Sequence, residues 1–145
     1  MLGERRYVSH EWLRPEAVEE RLYQTRILET ARRKSTLVVL PTALGKTVIA
    51  LLLALERAEL GRVFFLAPTR PLVQQHHRTF TEKTLLDEDE LVLITGRIPP
   101  EKRAMLHKKF FGVLPKLSWL SPSEGLSSTF EIPHLCLNHK YFIHV

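Results

Sequence analysis

Pro41-Thr42-Ala43-Leu44-Gly45-Lys46-Thr47 is the stretch on which the reading of the whole chain turns. Just before it, residues 36–40 form a β-branched and aliphatic run that ends at Pro41, which predicts a buried strand feeding a loop. Just after it, residues 46–60 are almost uniformly apolar and stop at Gly61, where a C-terminal glycine cap would fall. That pattern predicts a helix buried on most of its faces. Glycine, lysine and threonine at a strand-to-helix junction have a definite chemical use. Backbone N–H groups at the helix start surround phosphate oxygens, Lys46 reaches the β and γ phosphates as a mobile point charge, and the Thr47 hydroxyl coordinates magnesium. The strict glycine-rich pattern is not met, because Leu40 stands where its first glycine would be. The plain alternative is a turn glycine followed by a solvated lysine.

Working outward, the apolar positions of residues 16–33 (Val18, Leu22, Tyr23, Ile27, Leu28, Ala31) recur at helical spacing, with acids early and Arg32 and Arg33 late, as the helix dipole favours. Residues 62–67 predict the next strand. Pro71 can open a helix whose one-sided stripe is Leu72, Val73, His76 and Phe80. Residues 91–95 predict a third strand, and 101–110 a surface helix behind Pro99 and Pro100. Strand and helix alternate three times, which predicts an α/β fold with a parallel sheet and helical crossovers. Past Phe110 the periodicity breaks into short apolar pieces among Pro and Ser, and no element is assigned there.

The chain has 145 residues, 44% hydrophobic and 26% charged, as an ordinary globular domain does. Its longest apolar run, residues 48–55, is far below the ~20 residues that span a bilayer, so no membrane partner is expected and a cytoplasmic location is. The single Cys136 excludes an internal disulfide framework. Net charge is +5, which suits a polyanionic partner. All of that excess lies in residues 1–110, which hold 19 of the 21 Lys and Arg and 14 of the 16 acids. Residues 111–145 have no arginine and five of the seven serines, so a boundary is placed near Phe110.

With these elements placed, a family resemblance becomes specific. The heptapeptide resembles motif I of superfamily-two helicases, whose usual form is Pro-Thr-Gly-x-Gly-Lys-Thr, with Ala43 here in place of a glycine. If that position needs positive φ, alanine costs roughly 1–2 kcal/mol. By resemblance Thr42, Ala43, Leu44, Gly45, Lys46 and Thr47 bind ATP, with Thr47 on Mg2+. Arg21-Leu22-Tyr23-Gln24 looks like the adenine-recognition motif, with Gln24 as the base reader, since an amide both donates and accepts, and Arg21 as an auxiliary contact. The run from Ala67 through Gln75 resembles motif Ia, which touches the nucleic-acid backbone, and the resemblance gives that role to Thr69, Arg70 and Gln75. Thr95-Gly96 resembles the next backbone-contacting turn. Plainer readings stand beside each: helix-face polars, a capping threonine, a common Thr-Gly pair.

Within the superfamily, the separated segments Arg14-Pro15-Glu16, Arg21 to Gln24, Ser35 to Thr47, Ala67 to Val73, Glu88 to Gly96 and Pro100-Glu101-Lys102-Arg103 are most similar to the archaeal Hef proteins, relatives of the FANCM translocases. The resemblance implies a RecA-like ATP-binding domain, incomplete at its C-terminus, and a DNA-repair or fork-processing motor acting on branched or forked DNA. It implies residues 1–110 as the N-terminal part of that domain. Residues 111–145 are expected to be a divergent tail, frame-shifted or disordered, leaving an unpaired sheet edge and a bare face on the apolar helix. Hydrolysis in this family needs an Asp-Glu pair at the end of a strand, and no complete catalytic set is found. Asp87-Glu88-Asp89-Glu90 precedes a strand instead of ending one and reads as a solvated loop. His134, Cys136, His139 and His144 lack metal-site spacing. The rival functions are a non-catalytic nucleic-acid or protein-binding fragment and a small phosphate-loop kinase, for which no acceptor site or lid is recognisable. Nothing in the sequence indicates an oligomeric state.

Overall fold

The computed structural model describes residues 5–41, 43–87, 89–95, 98–99 and 101–102, together with the backbone of 117–120 and 140–144. Among the described residues the helices α1 (Leu22–Arg33), α2 (Lys46–Ala58) and α3 (Arg70–Lys83) combine with four strands. These are β1 (Arg62–Leu66), β2 (Leu91–Ile94), β3 (Leu117–Leu120) and β4 (Lys140–His144). All strand pairs are parallel, in the order β2-β3-β1-β4. The α/β architecture with a parallel sheet is thus observed; α2, α3, β1 and β2 fall within a few residues of their expected bounds, and α1 ends where expected.

The core explains why these segments fold as they do. In β1 the adjacent side chains Val63, Phe64 and Phe65 are each at most 1% exposed. Successive strand residues point to opposite faces, so the sheet is covered on both sides at this strand, as a parallel sheet requires. Leu51, Ala54 and Leu55 of α2 and Val73 and Phe80 of α3 are fully buried in the same core. Phe80 meets Phe65 edge-on at 5.3 Å, the favoured geometry for an aromatic pair. Helix α1 is fastened to α2 by a bidentate ion pair, Arg32 Nε to Glu56 Oε2 at 2.7 Å and Nη2 to Oε1 at 2.5 Å, and the Arg57 guanidinium donates to the Arg32 carbonyl.

Three expectations are corrected. Residues 36–40 are not a buried strand: they have no strand pairing among the described residues, and Leu37 and Val39 are 88% and 82% exposed. The physical reason is that β3 and β4 occupy both edges of β1, leaving no place beside it. Helix α1 starts at Leu22, not at 16: Glu16 has φ 57 and Glu19 bridges to Tyr7, so the early acids lie in a preceding strap. That strap is pinned to the end of α3 by Arg14 N to Lys83 O, Leu85 N to Trp12 O and Lys83 Nζ to the Ala17 carbonyl. Finally, α2 is not bare, since seven of its residues are buried. The segments 117–120 and 140–144, where no element was assigned, supply two strands of the sheet. The expected helix at 101–110 is described only at Glu101 and Lys102.

Candidate phosphate-loop site

The loop before α2 is shaped by two left-handed residues. Ala43 has φ 68 and Gly45 has φ 77, flanking Leu44. The conditional expectation for Ala43 is therefore met, and a non-glycine residue there stores roughly 1–2 kcal/mol of strain. Glycine at position 45 is favoured by its positive φ. Besides its φ, a Cβ at Gly45 would lie 2.3 Å from Gln24 Nε2. The Val48 and Ile49 amides donate to the Gly45 carbonyl at 3.0 and 3.1 Å, which starts the helix. The N–H groups of Gly45, Lys46 and Thr47 precede the first helical hydrogen bond and meet no acceptor among the described residues. Three donors at the positive end of a helix are the groups that bind a phosphate.

Lys46 is exposed, and its Nζ donates to the Leu40 carbonyl at 2.9 Å. The ammonium is thus folded back over the loop it would serve. Thr47 is half-buried on the first turn of α2. Thr42 lies outside the described residues.

The start of α1 packs against this loop. Gln24 is only 5% exposed, and its Nε2 donates to the Tyr23 hydroxyl at 3.3 Å and to the Leu44 carbonyl at 3.4 Å. The Tyr23 hydroxyl itself donates to the Leu44 carbonyl at 2.9 Å. Arg21 Nη1 donates to Tyr23 Oη at 3.4 Å, and that contact is the main cause of a raised Arg21 pKa. The amide of Gln24 was expected to donate and accept together; here its donor half faces the protein, and its Oε1 meets no donor among the described residues. Tyr23 has a part in the site that its sequence position did not suggest. The only available signal was a hydroxyl beside the glutamine.

The second group of predicted contacts lies at the sheet's C-terminal edge. Thr69 is the exposed N-cap of α3 in extended geometry, makes no side-chain cap hydrogen bond, and accepts from Val73 N through its carbonyl. Arg70 is half-buried and opens the helix ahead of Pro71; Gln75 is exposed one turn further on. Thr95 follows β2, is 8% exposed, and accepts from Ile98 N. Leu66 and Ile94 both pair with Leu120, so the turns after β1 and β2 leave the same edge, two strand spacings or about 10 Å apart. Gly96 lies outside the described residues, as do His134, Cys136 and His139.

The acidic run forms a turn. Asp87 Oδ1 accepts from the Asp89 and Glu90 amides at 3.0 Å each, which orders the approach to β2. His76, buried in the core 5.4 Å from the Phe65 ring, has its pKa lowered by desolvation.

The chain resembles proteins of one known family. The family model for DEAD/DEAH box helicases matches residues 21–116. A Methanocaldococcus jannaschii protein provisionally named an ATP-dependent RNA helicase is 44% identical over 105 residues, covering 71% of this chain and 14% of its own length. The Drosophila melanogaster DEAD-box ATP-dependent DNA helicase Fancm is 38% identical over 114 residues, covering 75% of this chain and 8% of its own. The crystal structure of the Pyrococcus furiosus Hef helicase domain superposes with a TM-score of 0.68 at 35% identity, over 77% of this chain and 23% of that one. The chain therefore spans a small fraction of the proteins it resembles.

Proposed function

Because the chain belongs to the DEAD/DEAH box helicase family, we propose that it serves as the ATP-binding part of a DNA-repair motor, seating ATP–Mg at residues 43–47 and holding DNA backbone at residues 69–70. The observation that supports this most is the loop itself. Three N–H groups at the start of α2 that meet no acceptor among the described residues, a lysine one hydrogen bond away and a threonine hydroxyl on the same turn form a donor set for a triphosphate and its metal. Thr47 would hold the magnesium through its hydroxyl, and the ion would supply neutralisation of the negative charge on the phosphates. To take up its role Lys46 must exchange the Leu40 carbonyl for a phosphate, a favourable trade of a neutral acceptor for a charged one. Gln24 would accept from an exocyclic amine through Oε1, a group that adenine has and guanine lacks at the corresponding position.

Turnover by this chain alone is not expected, because no Asp-Glu pair at the end of a strand was found in its sequence. The named relatives differ between DNA and RNA. We favour DNA, forked or branched, on the likeness to Hef and Fancm. The exposed Thr69 at a helix N-terminus, beside Arg70, suits phosphates and reads no base. The test is a titration of the chain with fluorescent ATP and Mg2+, followed by forked duplex at rising salt. Saturable nucleotide binding and a DNA affinity that collapses over roughly 50–200 mM salt are expected, with Arg70→Ala lowering the salt slope by about 1. A sequence preference that survives the upper salt would contradict the DNA reading, and absence of nucleotide binding would favour the rival, a non-catalytic binding fragment.

A further inference from the structure

Three side chains at the start of α1 meet at one oxygen. The Tyr23 hydroxyl accepts from Arg21 Nη1 at 3.4 Å and from Gln24 Nε2 at 3.3 Å, and donates to the Leu44 carbonyl at 2.9 Å. A phenolic hydroxyl has one proton and two acceptor lone pairs, so its whole capacity is in use. The two donors aimed at the oxygen leave its proton only one way to go, outward to Leu44. The shortest of the three contacts is the one to the loop.

That carbonyl belongs to the peptide between Leu44 and Gly45. A trans peptide is planar, with its C=O and N–H on opposite sides, so holding the Leu44 carbonyl towards α1 turns the Gly45 N–H away from it. The flanking residues make this restraint matter. The Leu44–Gly45 peptide turns about Leu44 ψ and Gly45 φ, and Gly45 at φ 77 has the freedom of glycine, so it does not hold the peptide by its own preference. Ala43 at φ 68 adds strain on the other side of Leu44. Gln24 gives only a longer contact to the same carbonyl, at 3.4 Å.

We propose that Tyr23 is a positioning residue for the phosphate seat: its hydroxyl holds the Leu44–Gly45 peptide so that the Gly45 N–H faces the bound phosphates. The inference rests on the phosphate-seat reading above and adds the residue that sets one of its donors. Arg21 and Gln24 act on the seat through the same oxygen, so the adenine-facing residues and the phosphate loop share a single joint. A ligand that carries phosphates but no base therefore feels the Tyr23 hydroxyl as strongly as ATP does.

The test uses the full chain with Tyr23→Phe and three probes: ATP, GTP and inorganic tripolyphosphate, each with Mg2+. Removal of one net hydrogen bond should weaken all three by about fivefold. The ratio of ATP to GTP affinity should not change, and neither should the thermal midpoint. Unchanged tripolyphosphate binding in Tyr23→Phe overturns the proposal, as does a loss confined to ATP, which would move Tyr23 to the base. Lys46→Ala separates this from failure of the underlying reading. If tripolyphosphate binding depends on Lys46 but not on the Tyr23 hydroxyl, only the positioning role falls; if it depends on neither, or if the wild-type chain binds no tripolyphosphate, both fall.

Discussion

The loop before α2 and the turn before α3 perform the same local task, carrying the chain into a helix N-terminus, yet they are held in different ways. The turn follows β1, whose two edges are both paired and whose side chains Val63, Phe64 and Phe65 are buried. It needs no left-handed residue and leaves Thr69 without a capping bond. The loop follows residues 36–40, which expose Leu37 and Val39 and have no strand pairing among the described residues, and its described part contains two left-handed residues. Its shape is maintained from the side, by Tyr23 and Gln24 of α1. The lesson is that a turn set by a sheet draws its stability from the core, whereas this loop draws its shape from a few polar contacts and a backbone strain. Mutations in the core should therefore register as stability, and mutations at the loop as binding.

The largest effect that sharpens this contrast is in the core below the turn. Phe80→Ala removes a fully buried ring packed on Phe65 and should cost about 3–5 kcal/mol, measured by denaturant unfolding. A loss below about 1 kcal/mol, the level of a surface change, would mean that the sheet does not anchor α3.

At the loop, the two left-handed positions should respond in opposite directions. Gly45→Ala meets both an unfavourable φ and the Gln24 amide, so nucleotide affinity should fall severely. Ala43→Gly relieves roughly 1–2 kcal/mol of strain while adding about 0.4–1 kcal/mol of unfolded-state entropy, for a net effect between about zero and a gain of about 1.6 kcal/mol. ATP binding should be equal or tighter. If Ala43→Gly weakened binding, the left-handed geometry at Ala43 would not be the binding geometry.

The smallest effect concerns acid. Burial lowers the folded-state pKa of His76 below its value in the unfolded chain. Between those values the unfolded chain binds the additional proton, so stability from this group is full above the ordinary histidine value near 6.5 and declines as pH falls below it. The thermal midpoint should drop from pH 7.5 to 5.5, conditions chosen to straddle that value of about 6.5, and His76→Gln should flatten part of the drop. An equal drop in the variant would assign the acid sensitivity elsewhere.

Much of this contrast was legible in the sequence, and the reasons differ by element. The loop, α2, β1 and α3 are local patterns: apolar periodicity, a glycine and a proline at element ends. The failure at 36–40 was not local. Its composition suits a buried strand, but whether a strand is buried depends on which segments take the places beside β1, and those come from positions 117–120 and 140–144. Those two segments were missed because four or five residues containing Ser118 or Lys140 do not stand out by periodicity. The start of α1 was misplaced because Val18 is buried by a strap, not by a helix face. The link from Tyr23 to Leu44 spans 21 residues, and no sequence pattern encodes a hydroxyl aimed at a carbonyl.

The central claim is that residues 43–47 seat a triphosphate, and Lys46→Ala tests it most directly. Fluorescent ATP with Mg2+ is titrated into the wild-type and variant chains under identical salt. Loss of a charge-assisted contact worth about 1.5–3 kcal/mol predicts roughly 10- to 100-fold weaker binding with an unchanged unfolding midpoint. Equal affinity in the two chains would contradict the account.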